Sequence, residues 1–361
     1  MFFIVVSFIN LCVVLYVSVS LILPTNLKTI TKSILFALLI LISQKAWLGA
    51  ISNDIIKSFT TSSFWFLFNG LSQVALFMCL GFALAIDVLA WILKRFGKKL
   101  PYRIPMILGL TGLVTVYGFY EAMKIPSVRH VTLLSDMLPA DWKPVKIAVL
   151  SDVHISSTAP IEKKWLQEVV RKTNTLKSDM ILITGDIIDN DVQTLSEQIH
   201  PLFELQAPDG VYMSFGNHEM FHDSDNWEVF FKQNNMTVLN DDIRSVRLGD
   251  NDITIAGIYR NNHLLDGIVS AEPILLLAHY PSVAKKIPSD LVFLQLSGHT
   301  HGGQFAVLAP LVAKMNQGFV KGLYSIGHSQ LYVHSGTGLW RGFPFRFLTP
   351  PEITLMTIVK K

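Results

Sequence analysis

The sequence predicts two parts of different physical kind: an α/β layered domain over residues 124–361, preceded by a helical domain of about four transmembrane spans over residues 1–123. Three observations lead there. Half of the 361 residues are hydrophobic and only 16% are charged, which with a mean hydropathy of +0.42 is too apolar for a water-soluble chain of this length. The charge is unevenly divided, with nine Lys/Arg against three Asp/Glu in residues 1–123, and all eleven His with a small excess of acid in the remainder. After Met123, short β-branched runs begin to alternate with polar, helix-patterned segments, as in layered α/β domains.

Four apolar stretches, approximately 2–23, 34–51, 64–93 and 104–122, account for the first part, since a helix needs roughly 20 apolar residues to cross the hydrocarbon core. The first lacks the basic leading segment of a secretory signal and is followed by further spans, so it reads as a retained helix. Gln44 and Lys45 interrupt the second, where Lys45 can extend its stem towards an interface; the alternative is a re-entrant or surface segment, which would move the N-terminus inside and leave the soluble domain outside. The loop before the last stretch carries Lys94, Arg95, Lys98, Lys99 and Arg103. Such a cluster resists translocation, which places Lys28 and Lys32 on the same cytoplasmic side. The N-terminus, Lys45, Lys57, Lys124, Arg129 and the whole soluble domain then lie outside, giving a multi-pass membrane protein with an extracytoplasmic domain. Asp87 is the one acid in the interior of a span, Glu121 lying at the end of the last, and transport routes usually need more. The net charge of +3 combines a basic helical part with a mildly acidic soluble part, which argues against a nucleic-acid partner; no protein partner is implied. Cys12 and Cys79 both sit in apolar stretches, so the soluble part has neither a disulfide nor a thiolate metal site.

In the soluble part, Val145–Leu150, Met180–Thr184, Val211–Phe215, Ile253–Ala256, Ile274–Ala278, Leu291–Leu296, Leu331–His334 and Ile353–Ile358 read as strands. Ile161–Leu176 reads as a helix, with apolar residues at Ile161, Trp165, Leu166, Val169 and Val170. About 235 residues suffice for one domain with its own core. Metal-ligand residue types gather just past the strand ends, where open α/β sheets place their ligands: Ser151-Asp152-Val153-His154, Gly185-Asp186-Ile187-Ile188-Asp189, Gly216-Asn217-His218-Glu219, Ala278-His279-Tyr280 and Gly298-His299-Thr300-His301-Gly302-Gly303-Gln304. Any one of these is weak, because Gly-Asp and Gly-Asn are more often plain turns. Their ordered succession in one domain is not. Carboxylates, one amide and five imidazoles together suit two neighbouring divalent ions, and the imidazole content favours Mn, Fe, Zn or Ni over Ca or Mg.

The series D-x-H, G-D-x-x-D, G-N-H-E, a lone His and G-H-x-H resembles the calcineurin-like metallophosphoesterase superfamily over about residues 143–361. The Gly298–Gln304 segment, followed by Ser335-Gly336-Thr337-Gly338-Leu339-Trp340 and Pro344-Phe345-Arg346, is similar to a branch often tethered to bacterial membranes. The resemblance implies a four-layer α/β/β/α sandwich and hydrolysis of a phosphodiester, phosphomonoester or pyrophosphate bond, with a phosphorylated, lipid-linked substrate and the bilayer as partners. It also implies that Asp152, His154 and His301 hold one metal ion, that Asn217, His279 and His299 hold a second, and that Asp186 bridges them. His218 would contact the phosphoryl oxygen or protonate the leaving group, the latter a role suited to an imidazole near neutral pH, while Asp189 and Glu219 would orient ligands or turns.

Other residues carry weaker signals. Arg346 could grip a phosphate with its two-pronged guanidinium, or be a surface or ring-packed cation. His130, His200, His222, His263, His328 and His334 lack matched spacing. Ser335-Gly336-Thr337-Gly338 looks only faintly like a phosphate loop, since it has no Lys. The apolar insert Leu308–Tyr324, with Pro310, Gly318 and Gly322, reads as core packing or a lid, the alternative being a segment that contacts an acyl chain beside the membrane. The competing functions are a phosphodiesterase for soluble substrates merely located at the membrane, and a membrane sensor or transporter with a regulatory metal domain.

Overall fold

The computed structural model describes residues 2–44, 63–156, 162–270, 272–339 and 343–361. The chain divides into two compact units, one of residues 1–120 with 341–345 and the other of residues 121–340 with 346–361.

In the helical unit the apolar stretches form the helices Phe2–Val17, Thr29–Ser43, Ser63–Arg95 and Arg103–Met123, the first continuing as a π-helical turn, Ser18–Ile22. Val13, Val14 and Val17 pack with Leu76, Cys79, Ala83 and Ile107. Two segments, Leu67–Arg95 and Arg103–Met123, are long and apolar enough to cross a membrane, whereas Val6–Ile22 and Thr29–Ser43 are shorter. The expectation of about four spans is thereby reduced to two that meet the length requirement among the described residues. Local chemistry explains the short second helix. It stops at Ser43, whose hydroxyl donates to the Ile40 carbonyl at 2.8 Å, and the next residue, Gln44, donates to the Ser7 carbonyl at 3.1 Å. Fifteen residues rise about 22 Å, short of the roughly 30 Å core. The rest of that stretch, with Lys45, lies outside the described residues, as does Lys57 beyond it.

The other unit is built on two six-stranded sheets. Ser127–Ser135 (β1), Val145–Leu150 (β2), Met180–Thr184 (β3), Val211–Ser214 (β4), Thr237–Val238 (β5) and Glu352–Lys360 (β12) form the first, in the order β1-β12-β2-β3-β4-β5. Asp242–Leu248 (β6), Asn251–Ile258 (β7), Ile274–Ala278 (β8), Val292–Ser297 (β9), Gly322–Ile326 (β10) and Ser329–Val333 (β11) form the second, in the order β10-β11-β9-β8-β7-β6. Strands β2 to β5 run parallel, as do β7, β8, β9 and β11. The period-two alternation of side chains assigns the faces. Val145, Ile147 and Val149 enter a shared core with Ile253, Ile255, Leu275 and Leu277 of the second sheet. Ala148 and Leu150 point the other way, onto Leu166, Val169 and Val170 of the helix Glu162–Asn174 and onto Trp227 and Phe231 of the helix Ser224–Gln233. Ile161, expected to start the first of these helices, lies outside the described residues.

The anticipated four layers are present on one side only. The outer face of the second sheet is covered by Leu265 and Val283, from a loop and the short 3-10 turn Pro281–Lys285, and by Phe319 over Leu331 and Val333, among the described residues. The β8–β9 connection has 13 residues, 279–291, and holds only that 3-10 turn. The strands the sequence did not single out, β1, β5, β6 and β10, lie at sheet edges. Edge strands carry polar, exposed residues rather than apolar runs, as the half-exposed pattern of β6 illustrates.

Candidate metal centre

All five chemistry-bearing segments leave the carboxyl ends of parallel strands, β2, β3 and β4 of one sheet and β8 and β9 of the other. Five of the residues expected to bind metal adopt left-handed backbone: Asp152 (φ 52°), His154 (φ 53°), Asp186 (φ 54°), His299 (φ 71°) and His301 (φ 48°). Each such non-glycine residue costs about 1–2 kcal/mol, and such strain concentrates at functional sites because packing elsewhere enforces it. The enforcing contacts are visible. Thr337 N–H donates to the Ser151 carbonyl at 2.7 Å and Gly338 N–H to the Asp152 carbonyl at 2.9 Å, while Ser151 Oγ and the His299 N–H donate to the Asp152 carboxylate at 2.6 and 2.9 Å. The amides of Thr337 and Gly338 are thus engaged by the main chain, and the loop is a brace rather than a phosphate cradle.

Two groups of donor atoms result. Asp152, His154 and His301 come within mutual reach, as do Asp186, His279 and His299. Asp186 also reaches the first group, with Oδ2 at 4.0 Å from His154 Nε2 and 3.0 Å from His279 Nε2. Asn217 Oδ1 stands 3.0 Å from His299 Nδ1. Seven of the residues expected to bind metal are therefore brought together, and Asp186 is the side chain common to both halves.

The donor set fits divalent ions on its own chemistry. His279 Nδ1–H donates to the Thr184 carbonyl at 2.8 Å, which leaves Nε2 buried without a hydrogen-bond partner and aimed at the Asp186 carboxylate. His154 Nδ1–H donates to Asp189, and its Nε2 meets His301 Nε2 at 3.0 Å. Two ring nitrogens facing each other can share at most one proton, so at least one lone pair points into the same space. Electrostatics agree. Burial opposes charge on His154 and His279, yet Asp189 lifts the first to about 9 and Asp186 lifts the second to about 10. Asp186 is itself held well below the usual carboxylate range despite burial, by His279, His154 and His218. Burial depresses His299 and His301 to about 4 and about 3, aided by neighbouring imidazoles. Buried carboxylates that demand positive charge, beside imidazoles whose lone pairs are free, form a cation site.

The remaining expected residues take defined places. His218 sits at the edge with its side chain 18% exposed and its N–H donating to Asp186 Oδ1 at 2.8 Å. Asp189 Oδ1 accepts from both His154 Nδ1 and His218 Nδ1, at 2.9 and 2.6 Å. Glu219 is fully buried and accepts from the N–H groups of Asp186, Ile187, Ile188 and Gly216, tying two of the motifs together. Arg346 is a correction. Its guanidinium is 0% exposed and donates to the carbonyls of Ser335, Gly338 and Thr349 at 2.9, 2.7 and 3.1 Å, so it braces the loop behind Asp152 and presents no fork to a phosphate. Of the histidines set aside, only His222 lies within reach of Asp189 and His218. His334 is buried and accepts from Gly336 N–H, while His263 is exposed and paired with Asp266. The positive-φ run was not readable from the sequence, since nothing in Asp-Val-His specifies left-handed backbone.

Comparison with known proteins agrees with this geometry. A family model described as calcineurin-like phosphoesterase matches residues 145–303. A metallophosphoesterase of Helicobacter pylori is 32% identical over 296 residues, which is 78% of this chain and 77% of that one. One from Bacillus subtilis is 33% identical over 272 residues, 68% of this chain and 92% of its own. A zebrafish (Danio rerio) protein described as a transmembrane protein with metallophosphoesterase domain is 32% identical over 266 residues, 68% of this chain and 60% of its own. Joined to a donor set built from two sheets around Asp186, these similarities establish that the chain belongs to the calcineurin-like metallophosphoesterase family, whose members are metal-dependent phosphoric ester hydrolases.

Proposed function

We propose that this protein is a membrane-bound phosphoesterase that uses two divalent ions to hydrolyse a phosphodiester, phosphomonoester or pyrophosphate bond in a lipid-linked substrate. The observation that carries the two-ion reading is the position of Asp186, within reach of both His154 and His279. Asp152, His154 and His301 would hold one ion, Asn217, His279 and His299 the other, and Asp186 both. Mixed imidazole, carboxylate and amide donors favour Mn, Fe, Zn or Ni. When bound, such ions polarise phosphoryl oxygens and make water acidic enough to act as a nucleophile near neutral pH.

The chain's own side chains supply the rest. His218, at the edge of the centre, donates a proton through Nε2 to the departing oxygen. Asp189, bonded to Nδ1, fixes the ring's tautomer and orientation. Because Asp189 holds His154 through the same oxygen, the proton donor and a metal ligand are kept in register. Two long apolar helices and the transmembrane relatives support location in a membrane. The transporter alternative is disfavoured because Asp87 is neutralised by Arg103 at 2.9 Å.

The test is mutational. Asp186→Asn should abolish most turnover and lower bound metal from two ions towards one or none by elemental analysis. His218→Asn should leave metal content intact while cutting turnover by ~10²–10⁴, the usual range for a general acid, with a smaller loss on esters having good leaving groups. Full metal content and near-normal activity in Asp186→Asn would refute the shared-ligand reading.

A further inference from the structure

The helix Ala309–Met315 follows closely on the Gly298–Gln304 motif, yet none of its residues is buried. Leu308, Leu311, Val312 and Met315 recur at the i, i+3, i+4, i+7 spacing of a single helical face. Val312 and Met315 line the same cleft, of about 380 Å³, as Asp186, His218 and His301. Through Val312 and Met315 this apolar stripe forms part of the wall of the reaction cleft, whereas the later part of the same insert is core, with Phe319 packed on Leu331 and Val333. Leu308, Leu311 and Met315 are 44%, 56% and 76% exposed. A second apolar group adjoins the proton donor: Met220 and Phe221 are both exposed, and the Phe221 ring centre lies 6.0 Å from that of His218.

We infer that this rim is the subsite for the hydrocarbon tail of the substrate, so that the protein selects amphiphilic phosphoesters whose phosphoryl group enters the metal centre while the tail lies along the stripe Leu308–Met315. The inference rests on the phosphoesterase reading above and adds the residues that choose the substrate. Large apolar side chains held in water are unfavourable, and contiguous ones mark binding surfaces. Here the stripe is continuous with the cleft that holds the reacting groups, which identifies its occupant as part of the same substrate molecule. A wholly ionic substrate would gain nothing from that wall. The cleft volume lies at the small end of ligand-sized pockets, enough for a phosphoryl group and the first part of a chain.

Burying each further methylene should raise kcat/KM about fourfold until the stripe is covered. The full-length, metal-loaded protein in nanodiscs is assayed on p-nitrophenyl alkyl phosphodiesters from methyl to octyl, below their micelle-forming concentrations. The expected result is an octyl-to-methyl ratio of at least about 30-fold, reduced at least about tenfold in the double variant Leu311→Ser, Met315→Ser. A flat wild-type series, or a slope the double variant retains, would overturn the tail subsite while leaving phosphoester hydrolysis standing. Equal loss on both esters, seen in nanodiscs but not in detergent, would also overturn it, because it would show the rim docking on the bilayer. Failure of the metal-loaded protein to hydrolyse any ester would reject the underlying phosphoesterase reading and the subsite with it.

Discussion

At the residue scale, the guanidinium of Arg346 shows how much of a metal site lies behind the ligands. It holds the Ser335–Gly338 loop, whose amides in turn hold Ser151 and the left-handed Asp152. Arg346→Met keeps the bulk but leaves buried carbonyls without donors, each costing about 1–3 kcal/mol. The expected outcome is a lower Tm and reduced metal retention, with only partial rescue by Arg346→Lys, since one ammonium cannot span these acceptors. Unchanged Tm and metal content would refute the brace. The imidazoles give a pH prediction. His154 and His279 are raised to about 9 and about 10 from about 6.5 in an unfolded chain. Stability from their charged forms is therefore full below about pH 6.5 and is lost as pH rises through 9 to 10. Chelator-stripped protein should lose denaturant resistance across that window. Cations compete with the same protons, so their affinity should rise with pH and binding should release up to about two protons near neutrality, measurable by calorimetry in buffers of different ionisation enthalpy. A pH-independent affinity would contradict this arrangement of donors.

At the element scale, parallel central strands were legible because burial on both faces makes them continuous apolar runs; the limits expected for β2, β3 and β8 coincide with those observed. The edge strands β1, β6 and β10 lacked that signature, and β5 has only two residues. In the helical unit, Asp87 joins elements far apart in sequence. It accepts from Tyr16 and Ser20 at 3.1 and 2.8 Å and pairs with Arg103, which also donates to the Ser20 carbonyl at 2.7 Å inside the π-helical turn. That carbonyl belongs to a stretch whose regular α-helical bonding is interrupted, where an outside donor is valuable. Asp87→Leu should destabilise the detergent-solubilised protein by about 1–2 kcal/mol, a figure reduced from that of a fully buried pair because both side chains are partly exposed. Metal content should not change. A variant as stable as the parent would show that the pair is dispensable.

At the scale of the whole molecule, the five-charge loop from Lys94 to Arg103 predicts that the metal centre faces away from the cytoplasm. A single cysteine placed on the soluble unit, with Cys12 and Cys79 replaced by Ser, should react with a membrane-impermeant thiol reagent in intact cells. Labelling only after lysis would reverse the topology and leave the metal chemistry untouched. By itself the sequence determined the α/β class and the residues that converge, because five strand-end motifs each keep their chemistry within a few neighbouring positions. It also determined that a helical apolar part precedes them, since composition is additive along a chain. Only the tertiary structure decided what depends on distance between remote segments. It placed Asp186 between two groups of donors, put Asp189 on two histidines at once, and removed Arg346 from the candidate phosphate contacts by burying it. It also left the Ala309–Met315 helix without a buried residue and turned Val312 and Met315 towards the cleft. A hydrophobic pattern specifies that a face must be covered, but which partner covers it is set by packing among elements that the linear order does not bring together.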